Sequence, residues 1–329
     1  MITSFAEESS IRKNIVLLFL FSLSAFAGAI ILYTSDGGTS WLQEESNTVF
    51  NLNDVALSIV NNTAVAVGDN GTILRRGEHG IWADVSPEGL SADLFSVAVG
   101  VSSMMACGAD GILLSSFDGG NNWCVLSEFE YGGTDLYSVN FDPTHPNSFL
   151  ITGENGFVYS SVDGLVQTGT NSDLVASCGM LCSGFPELVL GREGECYFLG
   201  TREPYNIEDA VIRGATEIVS GGGRYIAVGE NGSVIRYSNL DIWDSIVSGT
   251  GEYLNDVSYL TWGMTACAVG ENGTVLVSGD NGFTWERVNV ETTRDLTAVA
   301  GNGAGVACIV GRNALFDVLN GIPFIKVSP

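Results

Sequence analysis

The side chains that most often carry out chemistry are cysteine, histidine and paired carboxylates. The chain has seven cysteines and two histidines, and neither His79 nor His145 has a second ligand at zinc-site spacing, so no metal site is expected. Cys178, Cys182 and Cys196 form a group that predicts either a disulfide in an oxidising compartment or three more core residues. Three other cysteines (Cys107, Cys267 and Cys308) are predicted to be inert core residues in second strands.

Carboxylates are abundant, with 38 acidic against 13 basic side chains and a formal net charge of -25. They are scattered along the chain, which indicates a solvated acidic surface rather than an acidic tail. Such a surface disfavours nucleic acid, whose phosphates need clustered lysine and arginine. It suits a basic partner, divalent cations or solubility in salty surroundings. Two opposed carboxylates would be enough for a glycosidase, so that enzymatic alternative stays open.

A repeated phrase shows which elements position these side chains. Val-Gly-(Asp/Glu)-Asn-Gly-(Thr/Ser)-(Ile/Val) occurs at 67–73, 228–234 and 269–275, and weaker copies begin near Gly108 and Gly153. The repeat length of about 40 residues is typical of a propeller blade. Each unit begins with Leu-x-x-Val, which predicts a half-buried first strand, and Asn-Gly predicts a tight hairpin between the second and third strands. No glycine-rich phosphate loop precedes a helix, so no cofactor is expected.

A second phrase, Ser/Thr-x-Asp-x-Gly-x-x-Trp, lies between the third and fourth strands, at 34–41, 116–123 and 278–285. It resembles the Asp-box, or bacterial neuraminidase repeat, of sialidases, sortilin-type receptors and photosystem II stability and assembly factors. The two phrases together look most like the last family, over residues 28–329. The resemblance implies a β-propeller that assists assembly of a membrane complex through a basic patch, but basic residues are scarce in this chain.

Within this second phrase the side chains are predicted to be structural rather than catalytic. The aspartate accepts hydrogen bonds from its own turn, and the tryptophan fills the gap to the next blade. The residues concerned are Asp36, Trp41, Asp118, Trp123, Asp280 and Trp285. Sialidases bind the carboxylate of their substrate with three arginines and have an Arg-Ile-Pro phrase near the first blade. This sequence has no Arg-Ile-Pro phrase. Arg75 and Arg236 share one place in their repeats, which favours a blade surface over a converging triad.

Recognition residues are expected in the longer connectors between blades, because loops on a rigid scaffold concentrate binding side chains. The alternative is that these aromatics pack on their own blades. The candidate partner-binding residues are Glu128, Phe129, Glu130, Tyr131, Tyr205, Glu208 and Tyr253.

The amino terminus holds twenty uncharged residues, 14–33, after Arg12 and Lys13. Residues 1–27 are predicted to be a signal peptide with a small-x-small site before Gly28, or an uncleaved membrane anchor, with the propeller on the non-cytoplasmic side. Gly28 is also in phase with the repeat, so the following residues are assigned to the propeller.

The sequence predicts an all-β, seven-bladed propeller of four-stranded antiparallel blades over 28–329, with eight blades as the alternative. The last unit is expected to end with strands at 314–318 and 323–327, and residues 28–50 to extend a blade, close the ring or start an eighth blade. The predicted function is a non-catalytic scaffold for protein partners, assisting a membrane-associated complex. A glycan-binding or glycan-hydrolysing exported protein and a structural surface or virion protein are the alternatives.

Overall fold

In the computed structural model, the residues described are 28–126, 133–141, 148–178, 188–192, 194–198, 205–206, 218–220, 225–238, 242–261 and 264–313. They form 28 β-strands and six short 3₁₀ turns. The strands are β1 Ala29–Thr34, β2 Leu42–Glu45, β3 Leu52–Leu57, β4 Ala64–Gly68, β5 Ile73–Arg76, β6 Trp82–Asp84, β7 Leu94–Val99, β8 Met104–Gly108, β9 Leu113–Ser116, β10 Cys124–Val125, β11 Leu136–Phe141, β12 Phe149–Gly153, β13 Phe157–Ser160, β14 Gly164–Gln167, β15 Leu174–Cys178, β16 Leu188–Gly191, β17 Glu195–Phe198, β18 Tyr205–Asn206, β19 Ile218–Ser220, β20 Tyr225–Val228, β21 Ser233–Ser238, β22 Ile242–Val247, β23 Leu254–Tyr259, β24 Ala266–Gly270, β25 Thr274–Ser278, β26 Glu286–Arg287, β27 Leu296–Gly301 and β28 Ala307–Asn313. The 3₁₀ turns are Asp69–Gly71, Glu78–Gly80, Ala109–Gly111, Glu154–Gly156, Glu230–Gly232 and Glu271–Gly273.

The strands form seven four-stranded antiparallel sheets, which confirms the seven-bladed propeller and not the eight-bladed alternative. Blades 1 to 6 take four consecutive strands each, starting with β3, β7, β11, β15, β19 and β23. Blade 7 has the order β2-β1-β28-β27. The described residues include no helix of the length and apolar character that crossing a membrane requires.

In five repeats the first glycine (Gly68, Gly108, Gly153, Gly270 or Gly311) lies where two backbones approach closely. At Gly68 an added Cβ would lie 2.0 Å from the carbonyl oxygen of Asn51, the residue before the first strand of blade 1. The following amide, of Asp69, donates to that same oxygen at 3.1 Å. The turn then needs positive φ at both central positions, and Asn70 and Gly71 have φ of 55° and 68°, as the Asn-Gly pair predicts.

Blade 7 is closed by the amino-terminal strands. Strand β1 pairs with β28, with Ile31 opposite Val310, and β2 completes the outer edge. Residues 28–50 therefore close the ring, which was one of three alternatives. The expectation that strands at 314–318 and 323–327 complete the last blade is wrong, because β1 and β2 occupy those places; residues 314–329 and the segment 1–27 lie outside the described part.

The cores lie between neighbouring blades. Trp123 is 7% exposed and packs with residues of blades 1 and 2, and Trp285 contacts the core between blades 5 and 6. The tryptophan therefore fills the gap to the preceding blade, not the next, because its ring packs with side chains from the second and third strands of that blade. Cys107, Cys267 and Cys308 are fully buried free thiols in second strands. Cys196 is also a buried free thiol; nothing is described of the Cys178 side chain, and Cys182 lies outside the described residues.

Candidate functional site

The channel mouth is a cavity of about 320 Å³ where the first strands of the blades converge on the ring axis. Its wall is built from the two residues that follow leucine in the Leu-x-x-Val phrase. In blades 1, 2, 3, 6 and 7 both of these adjacent residues line the cavity, and the first strand has a register shift between the leucine and the second of them. The leucine and valine are buried between blades. The lining residues from first strands are Asn53, Asp54, Phe95, Ser96, Tyr137, Ser138, Val175, Asn255, Asp256, Thr297 and Ala298.

In blades 1, 2, 3 and 6 the side chain at the second of these positions forms a hydrogen bond with the next blade. Oδ2 of Asp54 accepts a hydrogen bond from the Val97 amide at 2.8 Å, and Oδ2 of Asp256 accepts one from the Val299 amide at 2.6 Å. Each carboxylate also accepts from the amide that follows it in its own strand. Burial raises the pKa of Asp54 to about 6 and raises that of Asp256 well above its ordinary value, although Asp54 keeps some contact with the channel.

The first position divides the mouth into a polar half and an aromatic half. In blades 1, 6 and 7 the side chains are Asn53, Asn255 and Thr297. Each donates to the carbonyl of the leucine that begins the next blade, at 2.9, 2.7 and 2.6 Å. These bonds hold the polar half of the wall in a fixed shape.

Blades 2, 3 and 4 have Phe95, Tyr137 and Val175 at the same position. The Phe95 and Tyr137 rings lie 5.9 Å apart between centroids, tilted by 32°. Both side chains are partly exposed to the cavity. The mouth therefore presents apolar ring faces opposite hydrogen-bonding groups, the combination that binding sites use to hold and orient a ligand.

Carboxylates surround the mouth because they brace the hairpin turns. Oδ1 of Asp93 accepts from the Asn70 amide at 2.8 Å, and the same contact recurs between Asp135 and the Asp110 amide at 2.9 Å. Asp173 and Asp295 hold the next turns of the same type. The repeated acids at this face thus have a structural role, and their charge adds to the field at the mouth.

Two arginines interrupt this acidic rim. Nε of Arg192 lies 3.5 Å from Oδ2 of Asp173, and its guanidinium carbon lies 5.5 Å from the centre of the Tyr137 ring. Nη1 of Arg312 lies 3.5 Å from Oδ2 of Asp295. Both arginines are mostly exposed and line the cavity.

The three Ser/Thr-x-Asp phrases form turns on the opposite face of the ring, here called the Asp turns (residues 34–41, 116–123 and 278–285). In the second, Oδ1 of Asp118 accepts from the Ser116 hydroxyl and from the amides of Asn121 and Asn122, at 2.9, 2.9 and 3.0 Å. Hydrogen bonds led by the Asn122 side chain lower the pKa of Asp118 to about 2. Asp36 and Asp280 accept equivalent bonds from their own turns.

Each of two Asp turns receives an arginine from the preceding blade. Nε of Arg75 donates to the Gly119 carbonyl at 2.7 Å, and Nε of Arg236 donates to the Asn281 carbonyl at 3.0 Å. Arg236 is 2% exposed and lies 3.9 Å from the centre of the Phe283 ring. The expectation of a blade-surface position is therefore wrong for Arg236. The side chain is buried because it joins two blades.

The structure places the predicted residues in different regions. Asp36, Trp41, Asp118, Trp123, Asp280 and Trp285 lie in the Asp turns, away from the mouth. Tyr253 lines the mouth, and burial, followed by the charge of Glu230, raises its pKa. Glu128, Phe129, Glu130, Tyr131 and Glu208 lie outside the described residues, and Tyr205 is in β18 with nothing described of its side chain.

Apart from Tyr253, sequence reasoning did not find the channel residues. The signal was present in the first position after the repeat leucine, which varies between blades as Asn53, Phe95, Tyr137 and Val175 while the leucine before it stays the same. In the part of the chain that the structure describes, no three histidine, cysteine or carboxylate side chains cluster as metal ligands.

The fold and this site define a seven-bladed β-propeller with an aromatic and acidic channel mouth. No protein-family model matches the chain, and no curated protein matches its sequence.

Solved structures match the fold. YCF48 from Cyanidioschyzon merolae is 17% identical with a TM-score of 0.59, over 80% of this chain and 96% of its own. A structure of YCF48 bound to D1 peptide is 16% identical with a TM-score of 0.63, over 86% and 95%. The WD40 β-propeller domain of Doa1 is 14% identical with a TM-score of 0.62, over 88% and 99%. At these identities the likeness concerns the fold alone.

Proposed function

We propose that this protein is a non-catalytic propeller scaffold that binds a polypeptide segment of a partner at its channel mouth. The observation that carries the proposal is the division of the mouth, in which Phe95, Tyr137 and Val175 face a wall of fixed amide and hydroxyl groups. Polypeptides offer apolar side chains together with backbone donors and acceptors, so they match both halves. The similar YCF48 structure that carries a D1 peptide supports peptide binding by this fold.

The carboxylates of the cavity favour a structural role over catalysis. A glycosidase needs one carboxyl as acid and one carboxylate as base or nucleophile, both facing the substrate. In both Asp54 and Asp256, Oδ1 accepts from the amide of the next residue in the same strand, and Oδ2 accepts from an amide in the first strand of the next blade. Using either group in acid-base chemistry would require breaking these bonds.

The partner is proposed to belong to a membrane-associated complex, with the propeller exported. In this proposal the apolar leader ends before Gly28, since strand β1 begins at Ala29. The uncharged residues left there, 14–27, are fewer than the roughly 20 that span a bilayer and match the apolar region of a signal peptide. A cleaved protein would therefore reach the complex by binding it rather than by its own anchor.

Glycan binding is a second candidate, because ring faces and carboxylates share one cavity. Phe95 and Tyr137 are suited to stacking on a sugar, while Asp54 and Asp256 lie in the same wall. The acidic rim opposes a sialic acid, whose carboxylate would be repelled, so the candidate glycan is a neutral one. A structural role through self-contacts remains the third alternative.

The test compares capture by the tagged full chain from its native membranes with capture by Phe95→Ala/Tyr137→Ala. Phe117→Ala is the matched control, because Phe117 is 75% exposed in an Asp turn on the opposite face. We expect a partner retained by the control and lost by the double variant. Equal capture by all three forms refutes binding at the mouth. Hydrolysis or retention of a neutral glycan supports the second candidate, and a stable homo-oligomer in light scattering supports the third.

A further inference from the structure

The charge around the mouth is unevenly distributed between blades. Two repeat positions lie at this face: the residue just before the first strand, and the two residues that follow the repeat glycine. Within the described residues, these positions carry nine carboxylates and two arginines. The carboxylates are Asp69, Asp93, Asp110, Asp135, Glu154, Asp173, Glu230, Glu271 and Asp295. Both arginines pair with the acid of their own blade, in blades 4 and 7. The acids of blades 1, 2 and 3 have no arginine beside them at these positions, and these blades include Phe95 and Tyr137.

Arg192 shows how a guanidinium is held at this rim. It lies over the Tyr137 ring of blade 3 and pairs with Asp173 of its own blade 4. The site therefore consists of an aromatic ring from one blade and a carboxylate from the next. Cation–π attraction and the ion pair act together on the same guanidinium.

The same arrangement recurs one blade earlier with the opposite charge in the position of the arginine. There the ring is Phe95 of blade 2, and the acid at the connector end is Asp135 of blade 3. The residue equivalent to Arg192 is Glu154, whose Oε2 accepts from the Asp135 amide at 3.2 Å. Two carboxylates thus stand where an arginine and one carboxylate stand in blade 4.

The carboxylates of this region act on the neighbouring ring. Burial raises the pKa of the Tyr137 hydroxyl, and the charges of Asp173, Glu154 and Asp135 raise it further. The Phe95 and Tyr137 ring centroids are 5.9 Å apart, so the carboxylates that act on Tyr137 are also close to Phe95, while Arg192 offsets part of their effect at Tyr137. A cation entering beside Phe95 would gain from these carboxylates and from the ring.

We propose that the mouth recognises a basic segment of its partner, and that an arginine side chain of that segment binds beside Phe95 against Asp135 and Glu154. This inference rests on the proposed function and specifies the chemistry of the partner. The occupant is a polypeptide because the cavity offers fixed hydrogen-bonding groups, Asn53 and Thr297, across from the ring.

The test measures fluorescence anisotropy of a labelled Gly-Ser peptide containing arginines, and of the same peptide with citrulline, which is neutral and of nearly equal shape. Glu154→Arg should weaken arginine-peptide binding about tenfold, because it replaces an attraction by a repulsion. Asp163→Arg is the matched control, since it makes the same charge change on the same blade at an exposed turn of the opposite face. Phe95→Leu should weaken binding about two- to fivefold.

Glu154→Gln removes the charge but keeps an acceptor for the Asp135 amide, so it should leave folding unchanged. We expect a two- to threefold loss of binding (an effect of about 0.5 kcal/mol), which measures the effect of the charge alone. Equal binding of the citrulline peptide, or an equal loss with Asp163→Arg, would overturn the proposal. So would equally tight binding of free spermidine, because the site would then take a small cation. If the arginine peptide fails while the Phe95→Ala/Tyr137→Ala variant still loses its partner, the scaffold function stands and this inference fails. If the wild-type protein captures no polypeptide, the proposed function itself fails.

Discussion

Replacing Arg236 with methionine should lower the free energy of unfolding by about 2 kcal/mol. Methionine keeps most of the apolar stem but loses the bond from Nε to the Asn281 carbonyl, and a hydrogen bond from a charged group contributes about 1.5–3 kcal/mol. The contact with Phe283 adds about 1 kcal/mol, since that ring is 52% exposed. Part of this sum is offset, because the variant no longer buries a charge in a side chain that is 2% exposed.

Arg75→Met is the matched control, because Arg75 makes the equivalent bond to Gly119 from a less buried position. The residue of that Asp turn equivalent to Phe283 is Asn121, so no ring is expected to stack on it. Water can replace part of the lost bond, and we expect a cost of about 1 kcal/mol. With a thermal midpoint shift of about 2 °C per kcal/mol for a chain of this size, the two variants should differ by about 2 °C.

Calorimetry and urea unfolding of the two variants, of Phe283→Leu and of Arg236→Met/Phe283→Leu measure these effects. The double variant isolates the contribution of the ring through a double-mutant cycle. An equal or larger loss for Arg75→Met would refute the argument, since burial and the aromatic contact would then contribute nothing. A coupling energy of zero between Arg236 and Phe283 would refute the cation–π part alone.

Three further outcomes are expected. Ile31→Ala should lower the free energy of unfolding by about 3 kcal/mol, whereas Ile59→Ala, at a position that is 64% exposed, should change it by less than about 0.5 kcal/mol. A similar loss at both positions in urea unfolding would contradict the closing role of β1. The folded-state pKa of Asp54 is raised from 3.8 to about 6, so its contribution to stability is fully present below the unfolded pKa and is lost as pH rises through 6. Asp54→Asn should therefore flatten the plot of thermal midpoint against pH in that range. An unchanged slope would contradict this expectation. The folded-state pKa of Asp118 is lowered from 3.8 to about 2, so its contribution to stability is present above the unfolded pKa and is lost as pH falls through 2. Asp118→Asn should remove this loss of stability in acid. The same acid unfolding profile in both proteins would count against the argument.

The sequence predicted the blades because their determinants are local. Leucine and valine three residues apart predict a first strand. The Asn-Gly pair that follows predicts a tight turn, because these residues adopt the backbone angles that the turn needs. Gly68 adds a local demand, the close approach of two backbones, which any other side chain would block. Leu-x-x-Val occurs in five blades and Asn-Gly in four, so the units that keep these signals identify those that have lost them.

The site was not predictable in the same way, because its members meet only across the ring axis. Asn53 and Thr297 are far apart in the chain, yet they lie side by side once blades 1 and 7 are neighbours. The burial of Arg236 likewise depends on the next blade, 45 residues further on. The misassigned outer strands of blade 7 have the same cause, since the pairing of Ile31 with Val310 has no local signature.

The pairing of β1 with β28 has a consequence for the order of folding. Six blades are built from consecutive strands and depend on local contacts, but the seventh joins segments from opposite ends of the described chain. Contacts of such large sequence separation form late, because the loop they close is long. A chain still emerging from the ribosome or from a translocon would therefore hold finished blades beside an unpaired β1–β2 hairpin. Until β28 arrives, that hairpin is an open sheet edge that another chain can pair with, and a chaperone or a second copy of the protein would compete for it.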